Sequence, residues 1–295
     1  MRSVLCAVIM LTGLTIAGTR AQEPAVAVFK SGVERVAIAA TVRDSKGRLV
    51  KTLEARDFEL LDSGRRRPLV GVWSEPSPAS VAILMDASGS MATKMTRARE
   101  TADLLVAGLK PGVDEVAFYT FDTTLQEVRP FSKKFGGIGD AWHATTPFGA
   151  TSLWDAIAKT AQQISDRERR RAIVVITDGV DSASTLKPSD VSGIASSLDV
   201  PVYLLLITFA LDDEQFESLD IRGPLADLAA WTGGDSLAIR DVEGAAAATA
   251  EILAELHHQY MIAFEPGSTP GWHPLVLRTK KQGLFVRARS GYIVK

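Results

Sequence analysis

VAILMDASGS, residues 81–90, joins an unbroken apolar run, Val81 to Met85, to an acid, Asp86, and two hydroxyls, Ser88 and Ser90. A short apolar run rich in Val and Ile reads as a strand buried on both faces, and a helical pattern begins just past the Ser-Gly-Ser turn. The acid and both hydroxyls therefore sit at a strand's carboxyl end, the edge where open α/β sheets bind ligands. A carboxylate and two hydroxyls at i, i+2 and i+4 on a turn can converge on one small hard cation through oxygen. The same residues also suit an Asp that caps the following helix, with serines filling the turn.

Two further segments weigh on that choice. A turn at Gly149 and Ala150 precedes the helical pattern Leu153, Trp154, Ile157, Ala158, Ala161, Ile164, which puts Thr151 at a loop-to-helix junction. AIVVITD, residues 172–178, is a second buried-strand run that ends in an acid, Asp178, with Gly179 after it. In order, spacing and strand context, Asp86-x-Ser88-x-Ser90, Thr151 and Asp178 resemble the metal-ion-dependent adhesion site of von Willebrand factor type A domains. That resemblance implies a Rossmann-like α/β domain, a mainly parallel central sheet with helices on both faces. It implies a divalent cation, Mg2+ or else Mn2+ or Ca2+, with Ser88 and Ser90 as direct ligands and Thr151 exchanging in and out. Asp86 and Asp178 would act through water, and a protein partner's Asp or Glu carboxylate would complete the shell. Neutral hydroxyl ligands leave most of the cation's charge for such an incoming anion. Ala150 departs from the family, which often has a second glycine there.

Strand and helix patterns alternate through residues 77–258, the expected type A domain, which argues for a mainly parallel sheet. Strands are expected at 81–86, 114–121, 171–178, 202–209 and 236–240, with an antiparallel edge strand at 124–131. Helices are expected at 94–108, 151–165, 189–198, 224–231 and 244–258. The flanks read as β structure. Residues 24–76 form an N-terminal β segment with patterns at 26–29, 36–44, 58–61 and 68–73, and a possible hairpin partner at 48–51. Residues 259–295 form a C-terminal β segment with runs at 260–264, 272–279 and 284–292. Neither flank is large enough for a core of its own, so the two are expected to share one small β domain. VRDSKGRLVKTLEARDFELLDSG and the closing YMIAFEP, HPLVLRT and FVRARSGY resemble the outer segments of bacterial von Willebrand type A-related proteins, first catalogued in acidobacteria. The last helix runs almost directly into Tyr260, so an axial shift of it would pull on the C-terminal strands.

The 295 residues, 46% of them hydrophobic, can bury a proper core. Residues 1–21 read as a secretory signal: Arg2, a short apolar core, and Thr-Arg-Ala before Gln22. Export to a periplasm, a cell surface or the medium is the expectation, with no transmembrane segment after the leader is removed. Cys6 is the only cysteine and lies in that leader, so a mature chain forms no disulfide. A net charge of −2 carries no basic bias toward nucleic acid, and the arginine clusters at 65–67 and 167–171 read as solvated turns and helix ends. No G-x-x-x-x-G-K-S/T loop, no H-E-x-x-H and no cysteine nucleophile is present, so the chain is read as a non-enzymatic binding module. His143 is the histidine nearest a site loop, and His257 and His258 suit a helix end. A structural role in an envelope assembly, with the cation only locking the fold, and a metal-dependent hydrolase are the alternatives.

Overall fold

The computed structural model describes residues 35–137, 139–167, 169–208 and 223–294. The expected leader, the strand pattern at 26–29 and Phe209 lie outside the described residues. Strands β1 (Val36–Asp44), β2 (Phe58–Asp62), β3 (Arg65–Arg67) and β4 (Leu69–Trp73) lead into the α/β region. There follow β5 (Ala79–Asp86), α1 (Met95–Gly108), β6 (Glu115–Phe121), β7 (Leu125–Ser132), the short α2 (Asp140–His143), α3 (Leu153–Ile164), β8 (Arg170–Thr177) and α4 (Pro188–Ser197). Next come β9 (Val202–Ile207), α5 (Pro224–Thr232), β10 (Ser236–Ile239) and α6 (Val242–His258). β11 (Tyr260–Phe264), β12 (Gly271–Thr279), β13 (Leu284–Ala288) and β14 (Gly291–Val294) close the described chain.

The central sheet has the order β10-β9-β8-β5-β6-β7 and is parallel except for β7. Every residue of β5 is buried. Its side chains alternate between two cores, with Val81, Ile83 and Met85 packed among residues of α1 and α6, and Ala82 and Leu84 among residues of α3, α4 and α5. A strand covered by helices on both faces has no solvent side, which is why 81–85 carries no polar residue. From β5 the chain passes through α1 to β6 on one side, and the next parallel strand, β8, lies on the other. Strand order thus reverses about β5, and the crevice this creates lies outside the carboxyl ends of β5 and β8. α2 was not legible in the pattern; it buries Trp142 edge-on against Phe118, with ring centroids 5.4 Å apart.

The other strands form two four-stranded sheets, β13-β1-β11-β4 and β14-β12-β2-β3. Strands from the two ends of the chain interleave: β1 lies between β11 and β13, and β12 between β2 and β14. Both sheets contribute to one core that includes Ile38, Leu60, Ile262 and Tyr292. Tyr260 pins it, since its hydroxyl donates to the Val50 carbonyl at 2.8 Å and accepts the Leu53 N–H at 3.0 Å. Two expectations change here. Residues 48–51 form no strand and contribute a single bridge, Arg43 to Leu49, because Asp44 draws the turn amides of Lys46 and Arg48 onto its carboxylate. The run 284–292 is two strands in different sheets. Its break falls where Ser290 N–H donates to the Trp231 carbonyl at 2.8 Å and Arg289 reaches the Ser196 carbonyl at 3.2 Å, so these residues bind the α/β region and leave the ladder.

Candidate metal centre

β5 ends on Asp86, which is wholly buried. Its Oδ1 accepts the Ser88 N–H at 2.9 Å and its Oδ2 the Thr177 hydroxyl at 2.6 Å, which orients the carboxylate and ties the end of β5 to the end of β8. Ser88 is buried and Ser90 exposed, and their hydroxyl oxygens lie 3.1 Å apart. Between them, Gly89 N–H donates to the Gly149 carbonyl at 3.0 Å. A Cβ at Gly89 would come within 3.3 Å of that carbonyl, so this close approach of two loops favours glycine. Ala87 is held on both sides, donating to the Phe121 carbonyl at 2.7 Å and accepting the Phe148 N–H at 2.8 Å.

The second loop carries Thr151, also buried. Its N–H donates to Ser182 Oγ at 3.0 Å, and its carbonyl accepts the N–H groups of Ser182 and Ala183, both at 2.9 Å. At the start of α3, Asp181 Oδ1 accepts the Leu153 N–H at 2.8 Å and Ser184 Oγ the Trp154 N–H at 3.0 Å. The orphan amides of that helix are therefore satisfied by the loop after β8, which locks the two loops together. That third loop begins with Asp178, whose Oδ1 accepts the Val180 N–H at 3.2 Å and whose Oδ2 receives the Lys94 ammonium at 3.0 Å. The loops bearing Asp86, Ser88 and Ser90, then Thr151, then Asp178 are thus stitched to one another by hydrogen bonds.

Burial pushes the Asp86 carboxyl up to about 6; its hydrogen bonds from Ser88 and Thr177 oppose the rise and the Asp178 charge adds to it. Among the described residues no basic side chain bonds Asp86. A buried carboxylate without a cationic partner, next to a second carboxylate and surrounded by hydroxyl oxygens, is a donor set that suits a hard divalent ion. Ser88, Ser90 and Thr151 would offer hydroxyls, and Asp86 and Asp178 would offer charge.

Other candidates resolve differently. Asp122, just past β6, serves a turn: its Oδ1 accepts the Thr124 N–H at 2.8 Å, which makes the tight turn into β7. His143 faces Asp103 at 3.8 Å. His257 answers to a specific partner, Asp114, whose wholly buried carboxylate lies 3.1 Å from Nε2 and also accepts the Ala79 and Lys110 N–H groups. Asp235, Glu251 and Glu255 form a further carboxylate cluster. It already holds two guanidinium groups: Arg43 lies 2.7 Å from Glu251 and 2.5 Å from Glu255, and Arg287 pairs with Glu255 and Asp235. This cluster is an ionic fastening between the last helix and the β sheets. Sequence reading missed Lys94 and Thr177 at the candidate centre; Thr177 adjoins Asp178, whereas nothing in the spacing points Lys94 across 84 residues to that acid.

Residues 81–180 match the family model of the von Willebrand factor type A domain, and Asp86, Ser88, Ser90, Thr151 and Asp178 all fall inside the match. No curated protein matches the chain. Similar solved structures include one described as von Willebrand factor type A from Catenulispora acidiphila, 15% identical, covering 90% of this chain and 76% of that one, with a TM-score of 0.49. Protein BatB from Bacteroides thetaiotaomicron is 18% identical and covers 60% of this chain and 98% of its own, with a TM-score of 0.48. The ArnB paralog VWA2 from Sulfolobus acidocaldarius is 14% identical, covering 86% and 76%, with a TM-score of 0.44. Among the described residues no helix is long and apolar enough to cross a membrane.

Proposed function

We propose that the von Willebrand factor type A domain of this chain is a non-enzymatic binding module that captures an Asp or Glu carboxylate of a protein partner through a divalent cation. Asp86, Ser88, Ser90, Thr151 and Asp178 would hold Mg2+, or Mn2+ or Ca2+, and the cation would supply a positive charge facing outward. The observation that carries this reading is the buried Asp86 carboxylate, which among the described residues has hydrogen-bond donors but no cationic partner, beside Asp178 at the carboxyl ends of β5 and β8. Apolar neighbours support a macromolecular ligand. Phe148 is 79% exposed and Val180 50% exposed, yet both backbones are fixed at the site, Phe148 through Ala87 and Val180 through Asp178. A free small acid has no use for such a rim, whereas a folded partner can cover it.

Export is part of this proposal and rests on the leader pattern of residues 1–21; N-terminal sequencing of mature material tests it. For the binding site, calorimetric titration of the purified chain with Mg2+ should show one saturable site that Asp86→Ala removes while cooperative unfolding is retained. A pull-down from native envelope should then recover a partner in Mg2+ and lose it in chelator. Wild-type protein that folds but binds no divalent cation would overturn the reading.

A further inference from the structure

We propose that Lys94 sets the balance of this centre, loosening its hold on the cation and tightening its hold on the incoming carboxylate; the inference rests on the binding function proposed above. Lys94 Nζ lies 3.0 Å from Asp178 Oδ2, with the lysine side chain 17% exposed and the aspartate 2%. A pair so shielded keeps most of its Coulomb energy, unlike a surface ion pair. Lys94 is also the residue that caps the N-terminal end of α1, and its side chain makes no capping hydrogen bond. A cation there opposes the helix dipole, and Ser, Thr, Asp or Asn is the stabilising choice. Helix stability therefore does not account for a lysine at this position; the contact with Asp178 does.

The charge count gives the consequence. Asp86 and Asp178 as carboxylates with the Lys94 ammonium sum to −1, and a divalent cation brings the centre to +1. Without the ammonium the same centre would be −2 empty and neutral when loaded. Lys94 thus disfavours the cation and favours an anion docking on the loaded centre. One unit charge within several ångströms in a partly buried setting is worth about tenfold in each affinity. Because the two effects have opposite signs, they separate this role from a merely structural ion pair, whose loss would weaken both.

The test is Lys94→Met, which keeps the aliphatic stem, with Lys94→Arg as the conservative variant and Lys94→Gln should the methionine chain not fold. Mg2+ affinity is read by calorimetry, acetate affinity of the Mg2+-loaded protein by NMR titration, and the fold by urea denaturation. Lys94→Met should bind Mg2+ about tenfold more tightly and acetate about tenfold more weakly, and Lys94→Arg should match wild type in both. Both affinities moving the same way, or neither moving, overturns the inference while the binding function stands. Wild type that takes up no Mg2+ overturns the function on which the inference rests.

Discussion

Replacing Asp86 by Asn should strengthen the fold in chelator and weaken it, relative to wild type, in Mg2+. Burial raises this carboxyl from 3.8 to about 6. The native state therefore binds the Asp86 proton more tightly than the unfolded state, and the ionised carboxylate burdens the fold above about pH 6. That difference in proton affinity amounts to about 3 kcal/mol at pH 7.5. Asn keeps the shape and carries no charge, but it turns a donor toward the Thr177 hydroxyl, 2.6 Å away, which must reorient to accept at a cost of about 1 kcal/mol. The net expectation is a gain of about 2 kcal/mol for Asp86→Asn at pH 7.5 in EDTA. Stepwise protonation of the wild-type carboxyl shrinks that gain near pH 5 and abolishes it by about pH 4. In Mg2+ at one hundred times its dissociation constant the wild type recovers about 2.7 kcal/mol and the variant nothing, so the order inverts. Urea denaturation at pH 7.5 and pH 4, with EDTA or Mg2+, reads all four values. A variant less stable than wild type in EDTA at pH 7.5, or a difference that ignores pH, would refute the electrostatic reasoning.

Three further outcomes are expected. His273 donates from Nδ1 to Asp62 Oδ1 and from Nε2 to the Thr269 carbonyl, both at 2.7 Å; the Thr269 bond and then the Asp62 bond raise its pKa, so its contribution is full below the unfolded value and is lost as pH rises through the folded one. Thermal unfolding of His273→Gln should accordingly lose part of the wild type's stability difference between pH 6 and pH 8. Phe148→Ser should weaken partner capture about tenfold with Mg2+ affinity unchanged, as calorimetry and a quantitative pull-down would show; equal loss of both would place the ring in the fold and not on the rim. Glu255→Gln removes a wholly buried acid from between Arg43 and Arg287, and should cost about 3 kcal/mol, with amide exchange accelerating first in β1 and β13.

Period and length sufficed for the central α/β layer, because β5 and β8 are buried on both faces and so read as unbroken apolar runs, whereas α3 shows its stripe. What escaped notice depends on contacts distant in sequence. The run 284–292 alternates as one strand would, and only the bonds of Arg289 and Ser290 to the α/β region divide it between two sheets. His257 was readable as a helix-end cation, but its partner Asp114 is 143 residues away. At the candidate metal centre the candidate donors announce themselves through spacing, since three sit on one turn. Lys94 and Thr177 do not, because what each does is set by a carboxylate delivered by another strand.

The fastening of α6 decides how freely that helix can slide. A sliding last helix would have to move by about one turn, roughly 5.4 Å, to carry a signal. Here Glu255 is held between Arg43 and Arg287 and accepts the Tyr203 hydroxyl at 3.1 Å. Arg170 donates to the Leu256 carbonyl at 3.2 Å and to the Gln259 and Glu75 carbonyls at 3.0 Å, and His257 meets Asp114. A full-turn shift would break these contacts together, and the buried glutamate alone would cost about 3 to 5 kcal/mol. α6 is therefore held along its axis by side chains from both the α/β layer and the β sheets. Through that helix the two parts are fastened to each other, with Arg43 and Arg287 from the β sheets and Tyr203 from the α/β layer all meeting at Glu255.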